Sequence, residues 1–116
     1  MLFICYPKCS TCKKAEKWLL EHGVDFDKRD ISADRPTEDE LRRWLAAGVP
    51  LKKLWNTSGM GYRSMDLKNR LPSMSEDEQI ALLATDGMLV KRPVLVGDGF
   101  VLTGFREQEW AAALGR

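Results

Sequence analysis

Apolar positions along the chain alternate between two periods, and the switches between them predict the elements. Residues 2–6 form an apolar and aromatic run that reads as a short buried strand, ended by Pro7. From Ser10 the period becomes helical. Cys12, Ala15, Trp18, Leu19 and His22 recur at spacings of three and four, with Lys13, Lys14, Glu16, Lys17 and Glu21 on the other face and Gly23 as the stop. Val24-Asp25-Phe26-Asp27 alternates, so residues 24–30 read as a second strand. Thr37-x-x-Glu40 is a capping box that opens a helix with Leu41, Trp44 and Leu45 inward and Gly48 at its end. Residues 49–74 are less regular. Leu51, Leu54 and Trp55 read as buried, Asn56 to Gly61 as a loop, and Tyr62 to Leu71 as a weak helix or turn closed by Pro72. A second capping box, Ser75-x-x-Glu78, starts a helix through Ala84 that Asp86-Gly87 stops. Residues 93–97 and 100–103 read as strands joined by Asp98-Gly99, a strong hairpin signal, and a last helix runs from about Arg106 to Leu114.

The order is therefore β-α-β, a helical block, then α-β-β-α. This is an α/β chain whose first half should form a parallel, right-handed βαβ unit, with an antiparallel hairpin and a covering helix in the second half. A length of 116 residues predicts one domain. Lys and Arg number 18 against 17 Asp and Glu, a net charge of +1. That balance argues against nucleic-acid binding as the main role, which needs a large basic surplus. The apolar start is too short to span a bilayer or to serve as a secretory signal, so no membrane association and a cytoplasmic location are expected.

All three cysteines, Cys5, Cys9 and Cys12, lie in the first dozen residues. A disulfide scaffold would spread an even number along the chain, whereas clustered cysteines point to redox or metal chemistry. Cys9-Ser10-Thr11-Cys12 sits where a strand hands over to a helix, and a C-x-x-C there reads as thioredoxin-like. Free N–H groups and the helix dipole favour a thiolate at that point, with Lys8, Lys13 and Lys14 as possible additions to the field. Cys9 lies at the turn and reads as the nucleophile. Cys12 opens the inward face and reads as the resolving thiol, so that a reversible Cys9–Cys12 disulfide is expected. A zinc half-site is the competing reading. Structural zinc usually takes four ligands, only Cys5 and His22 remain as candidates, and His22 lies roughly 15 Å along the helix from Cys12. Cys5 reads as core.

Lys91-Arg92-Pro93-Val94-Leu95-Val96 is the second signal. Proline is tolerated at the head of a strand or on an edge. Beside a thioredoxin-like βαβ unit, Pro93 reads instead as the cis proline that faces the C-x-x-C in such folds, and Arg92 as a rigid fork of donors near Cys9, suited to a thiolate, oxyanion or carboxylate. Asn56-Thr57-Ser58-Gly59, with Tyr62-Arg63, could bind an anion through backbone N–H groups, but from the residues alone a plain turn is the better reading. The tryptophans at 18, 44, 55 and 110 read as core rather than as a stacking platform for bases.

Tyr6-Pro7-Lys8-Cys9-Ser10-Thr11-Cys12-Lys13-Lys14-Ala15, Trp55-Asn56-Thr57-Ser58-Gly59 with Tyr62-Arg63, Asp86-Gly87-Met88-Leu89-Val90-Lys91-Arg92-Pro93 and Gly104-Phe105 together resemble the arsenate reductase (ArsC) family, in the branch that also holds the Spx and MgsR regulators. The resemblance covers essentially the whole chain. It implies a thioredoxin-like fold with a helical insertion at about 37–85 and a cis Pro93. It implies Cys9 as nucleophile and Arg92 as its cationic partner, with Pro93, Asn56, Thr57 and Ser58 positioning the substrate. Family enzymes resolve the arsenate adduct with glutathione and glutaredoxin. No tightly bound cofactor is implied, only an external reductant of the glutathione/glutaredoxin or thioredoxin kind. Two further family arginines bind the oxyanion, and they align with Asn56 and with a position near Gly104, neither of which is arginine here. Cys12 is absent from those enzymes but present in the Spx branch. The resemblance therefore carries two readings. One is a thiol–disulfide oxidoreductase with arsenate as a further candidate substrate. The other is a redox-sensing regulator that binds the C-terminal domain of the RNA polymerase α-subunit, for which Gly48 occupies a place comparable to the regulators' contact glycine.

Overall fold

Strand β1 (Leu2–Cys5) is an interior strand of a mixed sheet of order β2-β1-β3-β4 in the computed structural model, which describes residues 1–116. It pairs in parallel with β2 (Asp27–Asp30) and antiparallel with β3 (Val94–Val96), and β3 pairs antiparallel with β4 (Val101–Thr103). Because side chains alternate across a strand, this sheet divides two cores. Phe3, Cys5 and Leu95 pack with Cys12, Ala15, Trp18 and Leu19 of helix α1 (Ser10–Glu21) and with Trp110 of α6 (Glu107–Leu114). Ile4 and Val94 face the other way, onto Leu41 and Trp44 of α2 (Glu38–Ala46) and Ile80 and Leu83 of α5 (Glu76–Leu83). The fold is thioredoxin-like α/β, with α2, α5 and the short helices between them placed between β2 and β3. No helix is long and apolar enough to cross a membrane.

Both capping boxes form, at Thr37/Glu40 and Ser75/Glu78. Glu40 also binds outside its own helix, where its carboxylate receives both terminal nitrogens of Arg29 on β2, at 2.7 and 3.0 Å. That guanidinium, with the Thr37 backbone N–H, holds the Glu40 carboxyl below the usual carboxylate range against the opposing effect of burial. The pair ties the insertion to the edge of the sheet.

Several expectations shift in position. The second strand begins at Asp27 rather than Val24. The alternation of Val24 and Phe26 reflects packing instead of pairing: Val24 is buried and Phe26 meets Phe3 edge-on at 5.4 Å. His22 leaves the apolar stripe because α1 ends at Glu21, and its exposed ring stacks on Trp18 at 4.1 Å. The weak segment divides into α3 (Met60–Ser64) and α4 (Leu67–Arg70), separated by Asp66 in the left-handed region at φ 52°. The hairpin closes through a bond from the Gly97 N–H to the Phe100 carbonyl at 2.9 Å, with Gly99 at φ 82°.

Candidate active site

Cys9 is the N-cap of α1, in extended conformation, and its carbonyl accepts the first helical bond, from the Lys13 N–H at 3.1 Å. Pro7 and Lys8 form the turn before it, closed by the Cys9 N–H on the Tyr6 carbonyl at 2.9 Å. This places the Cys9 sulfur over the open end of the helix, half-buried, while Cys12 one turn later is 2% exposed.

The environments of the two thiols differ accordingly. Burial pushes the Cys9 thiol up, but the backbone N–H and thiol of Cys12, the Thr11 N–H and the Arg92 guanidinium outweigh it, and the result lies below the ordinary cysteine range. Burial also acts on Cys12, with less to oppose it. The Tyr6 N–H donates to its sulfur at 3.4 Å, yet the neighbouring Cys9 adds to the burial effect and Cys12 is pushed up to about 12. Cys5, at the end of β1, is 2% exposed and is raised chiefly by burial. Lys8, Lys13 and Lys14 are exposed and do not line the cleft. The cation beside the reactive sulfur is Arg92.

Arg92 precedes a cis peptide bond to the buried Pro93, at the head of β3 and therefore next to β1, which leads into Cys9. Its guanidinium carbon lies 5.1 Å from the centre of the Tyr6 ring, and Nη1 donates to the Met88 carbonyl at 3.3 Å. Asn56 Nδ2 donates to the same carbonyl at 3.3 Å. Two backbone bonds, Asn56 N–H to Leu89 carbonyl at 2.8 Å and Lys91 N–H to Leu54 carbonyl at 2.7 Å, flank a bridge between Trp55 and Val90. Buried Trp55 in turn donates through its indole N–H to Gln79 on α5 at 3.0 Å. The loop 56–59 is thus carried by the insertion and held against the segment before Pro93. Gly59 belongs to this arrangement, because a Cβ there would come within 2.7 Å of the Asn56 amide nitrogen.

These residues enclose a cleft of about 600 Å³ lined by Cys9, Thr11, Asn56, Thr57, Ser58 and Arg92 among others. Tyr62 and Arg63 stay outside it, and Cys12 and Pro93 lie behind its wall. The cleft also holds Lys52, Lys53, Lys91, Thr103, Gly104, Phe105, Arg106 and Glu109. Lys52 and Lys53 have no motif of their own in the sequence, only a place just before Trp55. All four tryptophans are at most 6% exposed, consistent with core roles.

If Arg92 supports the thiolate, Arg92→Ala should raise the Cys9 pKa and slow its alkylation near neutral pH several-fold with the fold intact. Arg92→Lys should recover only part of the rate, since a point charge lacks the planar fork. The pH dependence of iodoacetamide labelling measures this, and an unchanged profile in Arg92→Ala would assign the arginine to the surface alone.

Comparisons with known proteins bear on the family and the fold. The protein YusI of Bacillus subtilis is 48% identical over 111 residues, covering 95% of this chain and 94% of its own. The global transcriptional regulator Spx of Streptococcus pyogenes is 29% identical, over 95% of this chain and 81% of its own. The crystal structure of an ArsC-family-related protein from Bacteroides fragilis superposes with a TM-score of 0.93 at 52% identity, covering 96% of this chain and 94% of that one. The ArsC family model itself matches residues 5–113, from the end of β1 into α6, and the chain belongs to the ArsC family.

Proposed function

We propose that this chain is a thiol–disulfide oxidoreductase in which Cys9 attacks and Cys12 resolves. The observation that carries the reading is the asymmetry of the pair: a half-buried thiol lowered in pKa that lines the cleft, and a buried one pushed up to about 12. The Cys9 thiolate attacks one sulfur of a disulfide, forming a mixed disulfide and releasing the first thiolate. Cys12 then attacks the Cys9 sulfur, loses its proton and releases the second. The protein dithiol gives up two electrons and becomes the Cys9–Cys12 disulfide. Cys9 is also what prepares Cys12. Once Cys9 is bound covalently, the charge and hydrogen bond that help keep Cys12 protonated are gone, and Cys12 ionises more readily at the stage that needs it. An external thiol, glutathione with glutaredoxin or thioredoxin, restores the dithiol.

Arsenate is the weaker acceptor in this reading. Thiolate attack on it brings two anions together, and losing one preorganised donor commonly costs ~10²–10³ in rate. Asn56 and Gly104 stand where family arginines align. The regulator reading draws on the likeness to Spx and would take the RNA polymerase α-subunit as partner. Gly48 does not favour it, because its φ of 108° already requires glycine on backbone grounds.

Mild oxidation followed by peptide mapping tests the central claim. A Cys9–Cys12 bridge within one chain with Cys5 free is expected. A bridged Cys5, or dimers linked between chains alone, would overturn it.

A further inference from the structure

The cleft is far more basic than the chain. The whole protein carries a net charge of +1, whereas Lys52, Lys53, Lys91, Arg92 and Arg106 line the cleft against the single carboxylate of Glu109. Arg106 lies 3.7 Å from Glu109, which leaves Lys52, Lys53, Lys91 and Arg92 without a carboxylate partner. Unpaired cations such as Lys8, Lys13 and Lys68 also lie elsewhere on the surface, so what sets the cleft apart is that several of them gather on one concave surface with Cys9. Like charges gathered in a concave surface raise the local concentration of anions and cost folding energy through mutual repulsion.

Lys91 reaches this cluster by a specific route. Its side chain runs over Gly104, so that a Cβ at 104 would lie 3.0 Å from Lys91 Cε and 3.8 Å from Nζ. Gly104 is held there at φ 71°, its N–H on the Pro93 carbonyl at 2.8 Å and its carbonyl on the Trp110 indole N–H at 3.0 Å. A Cβ at 104 would press on the Lys91 stem at Cε, and the positive φ favours glycine there in any case. Lys52 and Lys53 come from the turn Leu51–Leu54 that precedes Trp55, which the Lys91 N–H on the Leu54 carbonyl at 2.7 Å holds beside Lys91.

We propose that Lys52, Lys53 and Lys91 are specificity-determining residues that select small disulfides carrying two or more negative charges. This rests on the thiol–disulfide reading above. The volume of about 600 Å³ suits a small molecule, and the cations line the same cleft as Cys9. Attack follows the balanced exchange already given, with the anionic groups held by the lysines and the leaving thiolate beside Arg92.

The test uses pre-reduced protein in single turnover, so that no recycling reductant is needed. Three probes differ in charge: 3,3′-dithiodipropionate (dianion), bis(2-hydroxyethyl) disulfide (neutral) and cystamine (dication). Each rate of protein thiol loss is divided by that of free dithiothreitol with the same probe. The dianion should exceed the dication by at least about tenfold at low salt, and the preference should shrink as ionic strength rises toward 1 M. In Lys52→Gln/Lys53→Gln/Lys91→Gln the dianion-to-neutral ratio should fall several-fold. In Lys17→Gln/Arg43→Gln/Lys68→Gln, which removes the same charge outside the cleft, it should hold. Equal normalised rates for all three probes, or an equal fall in both triple variants, would overturn the selectivity while leaving the redox reading intact. No reaction faster than dithiothreitol with any probe, the neutral one included, would overturn the redox reading itself.

Discussion

Cys9→Ser should abolish disulfide reduction, with a loss of at least about 10³-fold, because it removes the atom that forms the covalent intermediate and no other thiol can take its place. Cys12 is buried and held protonated, and Cys5 is buried at the end of β1, outside the cleft. Cys12→Ser should behave differently. It keeps the first attack and loses the second, so the protein should accumulate as a mixed disulfide whose added mass is half of the substrate. Cys5→Ala should retain turnover, since Cys5 is outside the cleft. The pH profile of the first attack carries the same assignment. A lowered Cys9 pKa means that the thiolate is already present at pH values where an ordinary thiol is protonated, so the rate should rise and level off on the acid side of the ordinary cysteine range. Stopped-flow measurement of the first attack, with intact mass spectrometry of the trapped species, separates these outcomes. Residual turnover in Cys9→Ser, or a trapped adduct on Cys12, would reverse the roles of the two thiols.

Trp110→Ala should produce the largest loss of stability among single core changes, about 3–5 kcal/mol against a total that is typically ~5–15 kcal/mol. Trp110 is fully buried and meets Phe3, Trp18 and Phe105 edge-on at 6.3, 6.4 and 5.0 Å. Truncation opens a cavity that this aromatic cluster can refill only in part. It also leaves the Gly104 carbonyl without its indole donor. Trp110→Phe keeps most of the packing and loses that donor, so its cost should be about 1–3 kcal/mol, the range for a buried polar group left unpaired. Urea unfolding with an unchanged m-value measures both. A cost below about 1 kcal/mol for the alanine variant would show that the sheet and α1 close over the gap. Trp110 also supports the cleft, because Gly104 is the ground over which Lys91 passes.

Most elements were legible in the chain itself, for reasons that act over a few residues. The capping boxes at Thr37 and Ser75 and the Asp98-Gly99 turn are satisfied by near neighbours and form as read, and the stripe Cys12, Ala15, Trp18, Leu19, though it packs on distant residues, shows in the chain as a helical period that loses only His22. The C-x-x-C at the start of α1 belongs with them, since a helix N-terminus exerts its field within its first turn. Where the pattern misled, a distant contact had replaced the local rule: Val24 and Phe26 alternate because the core beside Phe3 takes them, not because they pair as a strand. The polarity of the thiol pair in its full extent needed the tertiary structure. Desolvation depends on what covers each sulfur, and the cation beside Cys9 comes from position 92. So did the basic cleft. Lys52, Lys53, Lys91 and Arg106 are scattered over half the chain and look like ordinary surface charges in a nearly neutral sequence. The Trp55–Val90 bridge and the Met88 carbonyl shared by Asn56 and Arg92 bring the insertion against the segment before Pro93, and that contact puts Lys52 and Lys53 in the same cleft as Lys91, Arg92 and Cys9. Charges interact through space rather than along the chain, so their convergence is decided by packing between segments that no local period describes.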